Sequence, residues 1–121
     1  MEEKIYTLPN VDSVEKRIEY YLTLIKPFLK GIREKELEVL KELLYLNYLK
    51  KDIPDIEDRF KLILSSSYRK QIEKKLNMSP ASLRNCLTSL RTKRLLQKNN
   101  TLHQSLLLTL NQENFKLIFI I

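Results

Sequence analysis

The chain has 121 residues, 43% apolar and 31% charged, and 22 Lys/Arg against 15 Asp/Glu give it a formal charge of +7. That length suits one domain with a single modest core. The lone cysteine excludes an internal disulfide, the lone histidine leaves no Cys/His metal set, and no apolar run reaches the ~18 residues of a membrane span.

One glycine and four prolines leave few tight turns, and leucine is abundant while β-branched residues are sparse. Both features favour a mainly α fold. The N-terminus MEEKIYTLPN is acidic and lacks the apolar run of a signal peptide, and one free cysteine fits a reducing compartment, so a cytoplasmic location is expected.

Residues 4–8, KIYTL, alternate and are rich in strand formers, which predicts a short strand or extended arm ended by Pro9-Asn10. Asp12 or Ser13 starts a helix from about Val14 to Leu29, with Val14, Ile18, Tyr21, Leu22, Ile25 and Leu29 at helical spacing. Pro27 bends it or ends its regular part, and Gly31 closes it. A second helix is predicted from about Glu34 to Leu49. Its inner stripe is Leu37, Leu40, Leu43, Leu44 and Tyr48, and Glu34, Lys35, Glu38, Lys41 and Glu42 form a solvated outer face. Residues 50–59, KKDIPDIEDR, read as a loop, and 60–64, FKLIL, as a short strand or helical turn.

Ser67 caps a helix over Tyr68–Leu76, with Tyr68, Ile72 and Leu76 on one stripe. Asn77 stands where the chain must turn, and asparagine tolerates the left-handed conformation. Met78 plugs the turn. Ser79-Pro80 is a second helix start, a capping serine followed by a proline whose missing N–H costs nothing at the first helical position. From Pro80 to Thr92 the apolar residues Leu83, Cys86, Leu87 and Leu90 share one face. Ala81, Asn85, Thr88 and Thr92 share the opposite one, flanked by Arg84, Arg91, Ser82 and Ser89. Cys86 on the inward face reads as a small buried apolar residue.

Leu95-Leu96 and Thr101-Leu102 bracket the turn 97–100, QKNN, as a small hairpin. His103 lies near no cysteine or carboxylate in sequence and reads as a satisfied histidine. Leu106–Leu108 read as core. The tail ends FKLIFII, too apolar to leave in water, so it pairs internally, with Lys4–Leu8 the candidate, or is buried by another chain.

Charge is unevenly placed. Residues 65–100 hold nine Lys/Arg (Arg69, Lys70, Lys74, Lys75, Arg84, Arg91, Lys93, Arg94, Lys98) against Glu73 alone, a net of +8. The rest of the chain holds 13 Lys/Arg against 14 Asp/Glu, a net of −1. The excess is a patch, the electrostatic footprint of a nucleic-acid partner.

The same segment resembles the winged helix-turn-helix DNA-binding proteins. Ile72 and Leu76 match the core of the first motif helix, Met78-Ser79 the turn, Leu83, Leu87 and Leu90 the recognition-helix core, and Leu95-Leu96 the first wing strand. Two positions depart from the pattern. Glu73 stands where a helix-contacting alanine is usual, and Arg94 replaces the glycine leading into the wing.

The resemblance implies a winged helix-turn-helix over residues 33–110, preceded by an arm and extra helix (1–32) and followed by the apolar tail (111–121). It implies a short β wing and short terminal strands. It further implies a sequence-specific double-stranded DNA-binding protein, a transcriptional regulator that inserts helix 80–92 into the major groove. Ser82, Arg84, Asn85, Thr88 and Arg91 would then contact bases, and Arg69, Lys70, Lys74, Lys93 and Lys98 would contact phosphates. The helix N-termini at Ser67 and Ser79 would add backbone N–H groups.

No Gly-rich phosphate loop or metal-ligand spacing points to an enzyme, a cofactor or a metal. The alternative is a non-enzymatic structural or adaptor subunit. There the winged helix meets protein and the apolar tail holds a second copy or a partner. The chain is also similar to small proteins of tailed bacteriophages, which implies host cytoplasm or virion as its place.

Overall fold

A computed structural model describes residues 3–7, 14–29, 31–97, 100–102 and 116–120. The expected cap at Asp12 or Ser13, His103, Leu106–Leu108 and Lys98 lie outside the described residues.

The mainly α expectation holds. The elements are β1 (Glu3–Thr7), α1 (Val14–Ile25), a 3-10 turn (Lys26–Phe28), α2 (Glu34–Leu49), α3 (Ile56–Ile63), α4 (Ser66–Leu76), α5 (Pro80–Thr92) and β2 (Lys116–Ile120). Helix α2 is the hub, packing against α1, α3, α4 and α5, while α4 also packs on α3 and α5. Ile18, Tyr21 and Leu22 of α1 share one buried cluster with Val39, Leu40, Leu43 and Leu44 of α2. Phe60 and Ile63 of α3, Ile72 of α4, and Leu83, Leu87 and Leu90 of α5 complete it. Burial of these side chains drives the assembly, at roughly 1.5–3 kcal/mol for each large one.

Local chemistry sets most boundaries. Pro27 ends α1's regular hydrogen bonding at Ile25, and the chain continues as the 3-10 turn. Gly31 then takes a left-handed φ of 73°, which costs glycine little. Asp55 caps α3 by accepting from the Glu57 N–H at 2.9 Å. The preceding turn is tied down by Arg59. Its guanidinium donates to the Ile53 carbonyl at 3.1 and 2.8 Å and to the buried Asn47 Oδ1 at 2.8 Å.

Three expectations about these elements are corrected. The acidic loop ends at Asp55, and Ile56–Ile63 is helical where residues 60–64 read as a strand or single turn. The cap at Asp55 and an amphipathic Ile56, Phe60, Ile63 face together favour the helix. Helix α4 begins at Ser66 with Ser65 as its N-cap residue, and no side-chain cap bond is made. The buried stripe of α2 is rotated by roughly 80° from the one expected. Val39, Leu46, Asn47, Glu36 and Glu42 are buried, and Leu37 and Tyr48 only half-buried. A helix covered by four neighbours buries more than the face that its leucines mark.

The expected β wing reduces, among the described residues, to one antiparallel bridge between Leu96 and Leu102, with the Gln97 N–H donating to Thr101 O at 2.8 Å. The terminal segments form an antiparallel two-stranded sheet in which Glu3 faces Ile120 and Thr7 faces Lys116.

Candidate nucleic-acid interface

Helices α4 and α5 are joined by Asn77, Met78 and Ser79. Asn77 adopts φ 53° and ψ 51°, and the Met78 N–H donates back to Glu73 O at 2.8 Å. This left-handed closure is the C-terminal cap that asparagine supplies without a glycine. Met78 is buried beneath the turn. Ser79 Oγ accepts from the Ser82 N–H at 3.1 Å, and Pro80 occupies the first turn of α5. Leu83, Cys86, Leu87 and Leu90 are buried, which anchors α5 and turns Ala81, Arg84, Asn85, Thr88 and Thr92 outward, all exposed.

The end of α5 answers the Arg94 substitution. Arg94 itself takes the left-handed conformation, φ 62°, and the Leu95 N–H donates to Leu90 O at 3.0 Å. That is the helix termination a glycine would serve, made by an exposed arginine. Arg91 then reaches back over the hairpin, its Nε and Nη2 donating to Asn100 Oδ1 at 3.2 and 2.7 Å.

The sequence-assigned residues fall into three groups. Arg84, Asn85 and Thr88 are exposed on α5, with Lys70 and Lys74 exposed on α4. Ser82 is half-buried, Arg91 is half-buried and engaged with Asn100, and Arg69 is half-buried with its Nε enclosed and unpartnered by protein. Lys93 is turned inward. Its ammonium lies 2.8 Å from Glu36 Oε2 and 2.7 Å from Ser89 Oγ, so its charge is already neutralised. Lys75, counted with the patch, likewise meets Glu42 at 3.0 Å and Glu15 at 3.3 Å. Glu42 belongs to the core side of α2, which corrects its assignment to the solvated face.

Glu36 is the functional neighbour that sequence reasoning missed. Its side chain is 4% exposed yet charged. Burial raises its pKa, but hydrogen bonds from Lys93 and Ser89 and the charges of Lys93 and Arg33 outweigh that and hold it below the usual 4.5. The available signal was spacing: Glu36 precedes Leu40, Leu43 and Asn47 at i+4, i+7 and i+11, the buried stripe itself. Burial, with Glu36 nearby, pushes the Cys86 thiol upward, consistent with a small packed side chain.

Beside Glu36 runs an open groove of about 570 Å³ between the start of α2 and α5. It is lined by the run Arg33–Glu36 on one bank and by Ser82, Asn85 and Ser89 on the other. Among the described residues no group of His, Cys, Asp and Glu could hold a metal, and no helix is long and apolar enough to cross a membrane. Comparison with protein families, curated proteins and solved structures finds no significant match.

Proposed function

We propose that the chain is a double-stranded DNA-binding protein of the winged helix-turn-helix kind, a small transcriptional regulator that seats α5 in the major groove. The observation that carries this reading is the outward face of α5. It is short, polar and basic, free of carboxylates, and held rigid by four buried anchors behind a left-handed Asn77 turn. A base-reading helix needs that combination, since short side chains admit close approach and Asn or Arg make paired hydrogen bonds to base edges. Asn85 and Arg84 are the base-reading pair, with Thr88 beside them. Lys70 and Lys74 on α4 meet the sugar-phosphate backbone, and Lys98, outside the described residues, is assigned the same role from sequence. Ser82 and Arg91, at the margins of the face, are secondary base contacts.

Lys93 is left out of this phosphate set because its ammonium, 2.8 Å from Glu36 Oε2, is the counter-charge of that carboxylate. The apolar tail that motivated the adaptor alternative runs beside the chain's own β1, which satisfies backbone groups along the shared edge.

The test is equilibrium binding of labelled duplex DNA over a range of salt concentrations. Neutralising three phosphates, through Lys70, Lys74 and Lys98, predicts that log K falls with log salt at a slope of about −3 or steeper. A flat response, or no binding at low salt, refutes the DNA reading.

A further inference from the structure

A helix lying in a major groove about 12 Å wide has a phosphate rail along each of its flanks. The two flanks of α5 are not alike. At 100° per residue, Arg84 and Arg91 lie on one side of the outward face. This is the side toward the hairpin, because Arg91 is bonded to Asn100 there. Ser82 and Ser89 lie on the other side, with Asn85 between them and the centre of the face, and the one cation of that flank, Lys93 at the end of α5, is engaged with Glu36.

The missing positive charge comes from α2. The groove beside Ser82, Asn85 and Ser89 has Arg33 and Lys35 on its far bank. Arg33 is 86% exposed, and its Nε lies 3.8 Å from Glu36 Oε1. Lys35 is exposed and makes no ion pair among the described residues. The two carboxylates of the same turn are compensated: Glu34 by Lys26 at 2.8 Å, and Glu36 by Lys93 at 2.8 Å and Ser89 at 2.9 Å. Counting the exposed Glu38 one turn on, Arg33, Lys35, Lys26 and Lys93 stand against Glu34, Glu36 and Glu38, four cations to three carboxylates, so Arg33 and Lys35 tip this bank to a net of +1. Neither belongs to the basic segment 65–100, so the linear charge count does not include them.

We propose, resting on the DNA reading above, that the interface extends across this groove onto the first turn of α2, where Arg33 and Lys35 hold the phosphate rail opposite the hairpin. They are positioning contacts. They fix how deeply and at what tilt α5 sits, and they carry no base preference. Lys93 has a matching role on the protein side: by neutralising Glu36 it keeps a carboxylate beside α5 from repelling the duplex.

The experiment measures binding of a fluorescein-labelled random-sequence duplex by the full chain across salt. Lys35→Ala should make the log–log slope shallower by about 1, and Arg33→Ala/Lys35→Ala by about 2. Binding to any duplex should weaken alike, and the thermal melt of Lys35→Ala should be unchanged because that side chain holds no ion pair. Lys61→Ala on α3, an exposed cation that lines neither bank, should leave the slope as it is. If wild type binds and Lys74→Ala lowers its slope while both α2 variants do not, the extension is overturned and the DNA reading stands. If wild type fails to bind at low salt, the DNA reading falls and takes the extension with it.

Discussion

Replacing Lys93 with methionine tests the buried charge that sits next to the interface. The methionine keeps the aliphatic stem and removes the ammonium 2.8 Å from Glu36 Oε2, whose side chain is 4% exposed. Breaking a fully enclosed ion pair costs about 3–5 kcal/mol because an uncompensated charge stays behind. Here Lys93 is 24% exposed and Ser89 still donates to Glu36 at 2.9 Å, so about 2–3 kcal/mol is expected near neutral pH. Glu36→Gln, which retains an acceptor for Ser89, should cost about 1 kcal/mol. The double variant should cost less than the sum of the two, with a coupling of about 1–2 kcal/mol.

The pH dependence carries a sign that packing loss would not. In the wild type Glu36 is held below its usual 4.5. Its contribution is complete above that value and is lost as pH falls through the lower folded-state pKa. Without Lys93, burial is opposed only by Ser89 and Arg33, and the folded-state pKa rises from its wild-type position. The Lys93→Met variant then keeps less of the stabilisation of the ionised form, so its deficit against wild type is widest at neutral pH and narrows in acid. Urea denaturation followed by far-UV circular dichroism at several pH values reads both quantities. A deficit under about 0.5 kcal/mol, or one that stays constant from neutral to acid pH, refutes the reasoning.

Arg94→Gly should raise stability by about 0.5–1 kcal/mol in urea titration. It relieves a left-handed strain of roughly 1–2 kcal/mol and gives part of it back as unfolded-state entropy. Arg59→Met should cost about 2–3 kcal/mol, because it removes three hydrogen bonds and leaves the amide of Asn47 enclosed without its donor; a neutral result would show that water replaces the guanidinium. Asn85→Ala should lose about 1–3 kcal/mol at a preferred site and little on random duplex, whereas Lys74→Ala should weaken both alike and flatten the salt slope by about 1. Identical behaviour of those two variants on both DNAs would show that Asn85 reads no base.

The segment from Asn77 to Thr92 was legible from sequence alone because its determinants are local. A left-handed asparagine, a capping serine, a proline at the first helical position and a four-residue apolar face act on neighbours in the chain. The start of α2 at Glu34, and the interruption of α1 by Pro27, were local in the same sense. What only the tertiary structure decided is which charges remain available. Glu36, Glu42, Lys75 and Lys93 look in sequence like any solvated charges, yet each is paired with a residue far from it in the chain. The same packing brings Arg33 and Lys35 beside α5, some fifty residues away in the chain. Ion pairing depends on distances of a few ångströms between elements that the linear order leaves undetermined. A composition count therefore locates a basic region, and only the packing of α2 against α5 says which of its cations face outward.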